Sequence, residues 1–112
     1  MRKILKEEAQ DYSQIFQQAL NHGDVRLGEI YDISDEGNIS QITCDLESTN
    51  FTWHMYLDVD SRTSKIISAS GYPWTDTGES AQFEFGLDNN SLRILNSILE
   101  DDINESIDEW GW

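Results

Sequence analysis

Phe51, Trp53, Met55, Leu57 and Val59 alternate without a break with Thr52, His54, Tyr56 and Asp58. A period of two puts the two sets on opposite faces of extended backbone, so this segment reads as a β-strand with one face in a core. A strand needs neighbours, and the flanking segments supply them. Ile42, Cys44 and Leu46 alternate with Thr43 and Asp45, and residues 25–33 show a looser version of the pattern. Residues 65–70 read as a fourth strand. A fifth is predicted over 81–87, with Phe83 and Phe85 inward and Gln82 and Glu84 outward. Turn-forming clusters at 34–38, 47–50 and 60–64 separate the first four runs. Such short connections predict an antiparallel meander, because parallel strands need long crossovers.

The ends of the chain change period. Over residues 3–22, Leu5, Ala9, Tyr12, Phe16 and Leu20 recur at three to four, and Ile15 and Ala19 widen the stripe of a predicted helix. Gly23 suits the position after its last turn, and His22 suits the carbonyl end. Arg2, Lys3 and Lys6 sit at the unfavourable end of the same dipole. A second helix is predicted from the capping cluster Asp88, Asn89, Asn90 and Ser91 to about Glu109. Leu92, Leu95, Leu99, Ile103, Ile107 and Trp110 gather on one side of it, and Asp101, Asp102, Glu105, Asp108 and Glu109 on the other. Ile94 and Ile98 project within or beside the anionic side, where they are either covered or form an apolar spot ringed by carboxylates. The expected class is α+β: one globular domain over 1–112, a five-stranded antiparallel, meander-like sheet with an N-terminal and a C-terminal helix packed on it.

Charge bounds the partners. Seven basic residues against 22 acidic ones give a formal net of −15, with no Lys or Arg after Arg93 and six carboxylates between Glu100 and Glu109. Affinity for a phosphate backbone comes from Lys and Arg releasing counter-ions, so direct nucleic-acid binding is not expected. Hydrophobic residues at 38%, with four Trp, four Tyr and four Phe, separate the chain from disordered acidic tails. Cys44, the single cysteine, rules out an intrachain disulfide, and its inward strand position makes it core filler rather than a reactive thiol. The opening residues turn charged before a signal-peptide core develops, and no run reaches a membrane span. A cytoplasmic protein of bacterial or phage origin is expected.

No local motif joins a nucleophile to a base, so an enzyme is not expected. Asp58 and Asp60 open like a calcium loop, but Arg62 takes the third ligand position and the later Gly and Glu are missing, so neither metal nor cofactor is expected. What remains is a basic protein partner. Asp101, Asp102, Glu105, Asp108 and Glu109 form a linear acidic array whose alternative role is a solvated helix face. Ile98, Tyr72, Trp74 and Trp112 are the candidate anchors. Tyr72 and Trp74 fall in a predicted loop over 71–80 with the only proline, and either meet a partner or fold down as a lid on the sheet.

In size and composition the chain resembles two groups of small inhibitors, a likeness of bulk properties that transfers no residues. One group is bacterial immunity proteins that neutralise nuclease toxins. The other is phage or plasmid DNA mimics that block restriction or CRISPR nucleases. A mimic is expected to spread its carboxylates over much of its surface, whereas here a substantial aromatic core and a mixed polar sheet surround a localised anionic helix, which favours the immunity protein. An acidic adaptor or chaperone module that leaves its partner active is the third expectation. Because exposed like charges repel, moderate NaCl should raise the melting temperature. A melting temperature that falls steadily with added salt would contradict this.

Overall fold

The computed structural model describes residues 3–75, 78–79 and 83–109, with side chains described over 12–74 and 83–105. Helix α1 (Lys3–Asn21) leads into β1 (Arg26–Asp35), β2 (Ile39–Glu47), β3 (Thr52–Asp60) and β4 (Ile66–Thr75). The short strands β5 (Gly78–Glu79) and β6 (Phe85–Gly86) follow, and α2 (Asn89–Glu109) ends the described chain. The four long strands form an antiparallel meander in chain order. Beyond β4, the fifth position of the sheet is shared by β5, opposite Trp74 and Thr75, and β6, opposite Ser70 and Gly71. The fold is therefore the expected α+β: an antiparallel sheet of five positions with a helix at each end of the chain. Among the described residues, no helix is long and apolar enough to cross a membrane.

Strand β3 organises the core. Trp53, Met55, Leu57 and Val59 are fully buried, beside Ile42, Cys44 and Leu46 of β2, under Phe16 and Leu20 of α1 and Leu92, Leu95, Leu99 and Ile103 of α2. Both helices thus cover the same face of the sheet. Trp53 meets Phe16 edge-on at 5.1 Å and Phe85 at 5.7 Å, and its indole N–H donates to Ser48 Oγ at 3.1 Å. A buried ring with its polar atom satisfied is worth about 3–5 kcal/mol against alanine. Cys44 is wholly enclosed, and burial, helped by the charge of Asp45, pushes its thiol up to about 12. Ile94 and Ile98 are half-buried and pack against this core, so the covered alternative holds for both.

Local chemistry ends the helices where expected. Gly23 takes φ +69°, its N–H bonds Leu20 O at 3.0 Å, and Asp24 N–H bonds Ala19 O at 2.8 Å, the paired bonds of a Schellman cap. His22 Nδ1 lies 2.8 Å from Gln18 O. At the start of α2 the Asp88 carboxylate accepts the Ser91 N–H at 2.8 Å, and that bond holds its carboxyl below the usual aspartate value. The side chain of Asn96 then ties α2 to β4: its Oδ1 accepts Ile66 N–H at 2.7 Å and its Nδ2 donates to Ile66 O at 2.9 Å. One amide therefore stands in for a strand where β6 does not reach.

Two strand limits differ from expectation. The fourth strand runs on through Gly71, Tyr72, Pro73 and Trp74 to Thr75, so Tyr72 and Trp74 belong to the sheet and not to a loop. Pairing with β3 overrides the breakers, because Pro73 lies between the stretches that bond outward to β6 and β5 and needs no outward N–H. The predicted fifth strand contracts to Phe85 and Gly86; Phe83 is buried and Phe85 packs on the core, while Gln82 lies outside the described residues.

At Gly71 a Cβ would run into the backbone O of His54 and the Sδ of Met55. Gly71→Ala should therefore destabilise the fold by about 2 kcal/mol or more, measured by urea unfolding. A variant as stable as the parent would contradict this packing.

Candidate functional site

Both helices cover one face of the sheet, and among the described residues no helix covers the other. Register stacks that open face in rows. Asp45, His54 and Tyr72 face one another across β2, β3 and β4, followed by Thr43, Tyr56 and Ser70, then by Gln41, Asp58 and Ser68. The strand period that buries Trp53 and Met55 therefore lifts His54 and Tyr56 to this side.

Asp45 is the centre of the arrangement. Although only 9% exposed, it accepts Tyr31 O–H at 2.6 Å and Trp74 Nε1–H at 2.9 Å, and His54 Nδ1 stands 3.4 Å away. Tyr31 reaches it because the β1–β2 register shifts between Ile30 and Asp32, leaving the tyrosine as an extra residue. His54 is in turn the hub of four rings, with centroids of Tyr31, Tyr56, Tyr72 and Trp74 at 5.5, 5.2, 5.3 and 5.4 Å. The hydrogen bond to Asp45 is the main cause that pushes the Tyr31 phenol up to about 12, followed by desolvation and the carboxylate's charge. A carboxylate with these donors around it holds the rings in place. Among the described residues, no group of three or more His, Cys, Asp or Glu side chains is arranged to hold a metal ion.

The expected partner-binding residues do not form one surface. Asp101, Asp102 and Glu105 are exposed on the outer side of α2 and, among the described residues, make no ion pair. Asp108 and Glu109 belong to α2, but their side chains lie outside the described residues, as does the whole of Trp112. Ile98 packs on the core. Tyr72 and Trp74 sit on the open face, with the sheet between them and α2; Tyr72 is 4% exposed and Trp74 partly so. Among the described residues, α2 carries no exposed large apolar side chain beside its carboxylates.

Tyr31, Asp45, His54 and Tyr56 were not among the expected site residues. A signal was present: a tyrosine and a histidine occupy the polar phase of the clearest alternating strand, where short polar residues are the norm. Asp45, by contrast, looks like an ordinary outward carboxylate until the register sets it opposite His54. Elsewhere a shallow recess of about 200 Å³ lies among Ile15, Gln18, His22, Asp24, Ser48 and Phe51. There Asp24 accepts both the N–H and the hydroxyl of Thr49 at 3.0 Å, which lowers its pKa and ties the helix end to the β2–β3 turn. Comparison with known protein families, with curated proteins and with solved structures finds no match.

The Tyr31 shift carries a sign. Its folded value lies above the ordinary value of about 10, so its contribution to stability is complete below pH 10 and is lost as pH rises from there toward 12. Tyrosinate absorbance should include a late step from Tyr31, with Asp45→Asn bringing that step back toward 10. An unchanged titration in the variant would exclude the Asp45 bond as the cause.

Proposed function

We propose that this chain is a small acidic immunity protein that binds a basic nuclease toxin in the cytoplasm and neutralises it through an anionic surface. The observation that carries the reading is the distribution of charge in the folded chain. Arg26, Arg62 and Lys65, three of the four basic residues whose side chains are described, are engaged by Asp24, Asp60 and Glu100. Asp101, Asp102 and Glu105 stand exposed without such a counter-charge among the described residues. Carboxylates three and four residues apart climb a helix by about 4.5–6 Å, a spacing suited to Lys and Arg side chains that otherwise hold phosphates. A field of this sign attracts a basic protein over about a Debye length and raises its rate of encounter.

Neutralisation is the test. Co-expression with a basic toxin nuclease encoded beside it should restore growth, and the purified pair should form a stoichiometric complex. Loss of inhibition only in proportion to added DNA, across unrelated nucleases, would replace immunity with DNA mimicry. A complex in which the nuclease stays active would make the chain an adaptor. Reversing charge at Asp101, Asp102 and Glu105 together should slow association by about tenfold at low salt and flatten its salt dependence. An association rate equal to the parent's would remove α2 from the encounter surface.

A further inference from the structure

We infer that the open face of the sheet around Tyr56, and not the outer side of α2, seats Lys and Arg side chains of the partner. The inference rests on the reading above that the partner is basic, and names where and by what chemistry it is held. Acidic side chains on a helix give attraction but little hold, since exposed ion pairs are worth about 0–1 kcal/mol. A durable contact needs ordered, partly desolvated groups, of which aromatic rings are the commonest. Among the described residues, α2 has none exposed, whereas the open face displays Tyr31 at 44% exposure and Tyr56 and Trp74 half-buried.

Those rings are held before any partner arrives. Asp45 fixes Tyr31 and Trp74 by hydrogen bonds, and His54 lies against Tyr56 edge-on, with their planes 88° apart. Within its row Tyr56 is flanked by Thr43 and Ser70, side chains shorter than its ring, so the tyrosine is the tallest group there. Carboxylates stand on two sides of it. Asp58 follows two residues along the same strand face, about 7 Å away. Among the described residues it accepts from the neutral donors Ser68 and Gln41, at 2.9 and 3.3 Å, and has no cationic partner. Asp32 pairs with Thr43 and so lies two strands from Tyr56, about 10 Å away; it is exposed and has no side-chain partner among the described residues.

A partly exposed tyrosine ring bordered by carboxylates that have no cationic partner among the described residues suits a cation. The ring quadrupole attracts the charge, the carboxylates accept its N–H groups, and a planar guanidinium satisfies both at once better than an ammonium does. Neutral or acidic partners are disfavoured, because they would bury Asp32 and Asp58 without compensation.

The probe is a blocked hexa-arginine peptide titrated into the ¹⁵N-labelled full chain, with hexa-lysine as comparison. Saturable shifts should centre on Tyr31, Thr43, Tyr56, Ser70 and the Trp74 indole, with arginine binding at least threefold more tightly than lysine. Tyr56→Leu, which keeps an apolar side chain and removes the ring, should weaken arginine binding at least fivefold while the spectrum remains that of the folded protein. Asp32→Asn with Asp58→Asn should do the same without touching the ring. Shifts centred on residues 101–105, or no saturable shift, would overturn the inference, as would affinity unchanged in both variants. Toxin neutralisation is read separately: protection that survives Tyr56→Leu sinks the open-face site and leaves the immunity reading standing. Peptide binding on the open face without protection sinks the immunity reading instead.

Discussion

The rest of the structure depends on the one-sided burial of β3. Its odd residues lie in a core closed by both helices, and its even residues are left on a face that no described helix covers. Hydrophobic burial is non-directional, so it accounts for the core side without specifying how the other side is arranged. On that other side stability and shape must come from polar and aromatic groups satisfying one another. Asp45 does this by gathering donors from β1, β3 and β4. A cluster that spans strands far apart in sequence also favours one register over its neighbours, since a one-residue slip would carry Asp45 into the core.

Edge protection follows from the same economy of elements. The outer edge of β4 is covered piecemeal, by the Asn96 amide at Ile66, by Leu87 N–H on Ala69 O, and by β6 and β5 further along. The β1 edge is handled differently. Its two register shifts and the residues Glu29, Asp32 and Asp35 make it irregular and anionic, a poor template for another strand. Excess negative charge, which opposes folding through self-repulsion, thus disfavours edge-to-edge pairing of copies, and in the function proposed above it also serves recognition of a basic partner. On that proposal attraction and hold are divided in space: α2 contributes to the long-range field, and the ring-bearing face supplies the ordered groups.

Much of this was legible from residues alone. The alternation through Phe51 to Val59 yielded β3 and its inward set, Gly23 and Asp88 marked helix ends that are capped as expected, and the α2 stripe identified its buried side. Less was legible where tertiary contact decides. Gly71 and Pro73 read as a break, yet β4 passes through both because its partner strand demands a residue without a side chain at one and no outward bond at the other. Ile98 read as either covered or exposed, and only the packing of α2 against the sheet resolves it.

The sequence by itself determined the periods, and with them the first four strands, both helices, most of the core and the sign of the surface field, though not the contraction of the fifth strand to Phe85 and Gly86. These are local quantities, set by which residue types recur at two or at three to four. Only the tertiary structure decided that Tyr72 and Trp74 stand across the sheet from the acidic helix, and that Tyr31, Asp45, His54 and Trp74 meet. Those groups lie on four different strands, and strand register joins them, a long-range relation that no local spacing encodes.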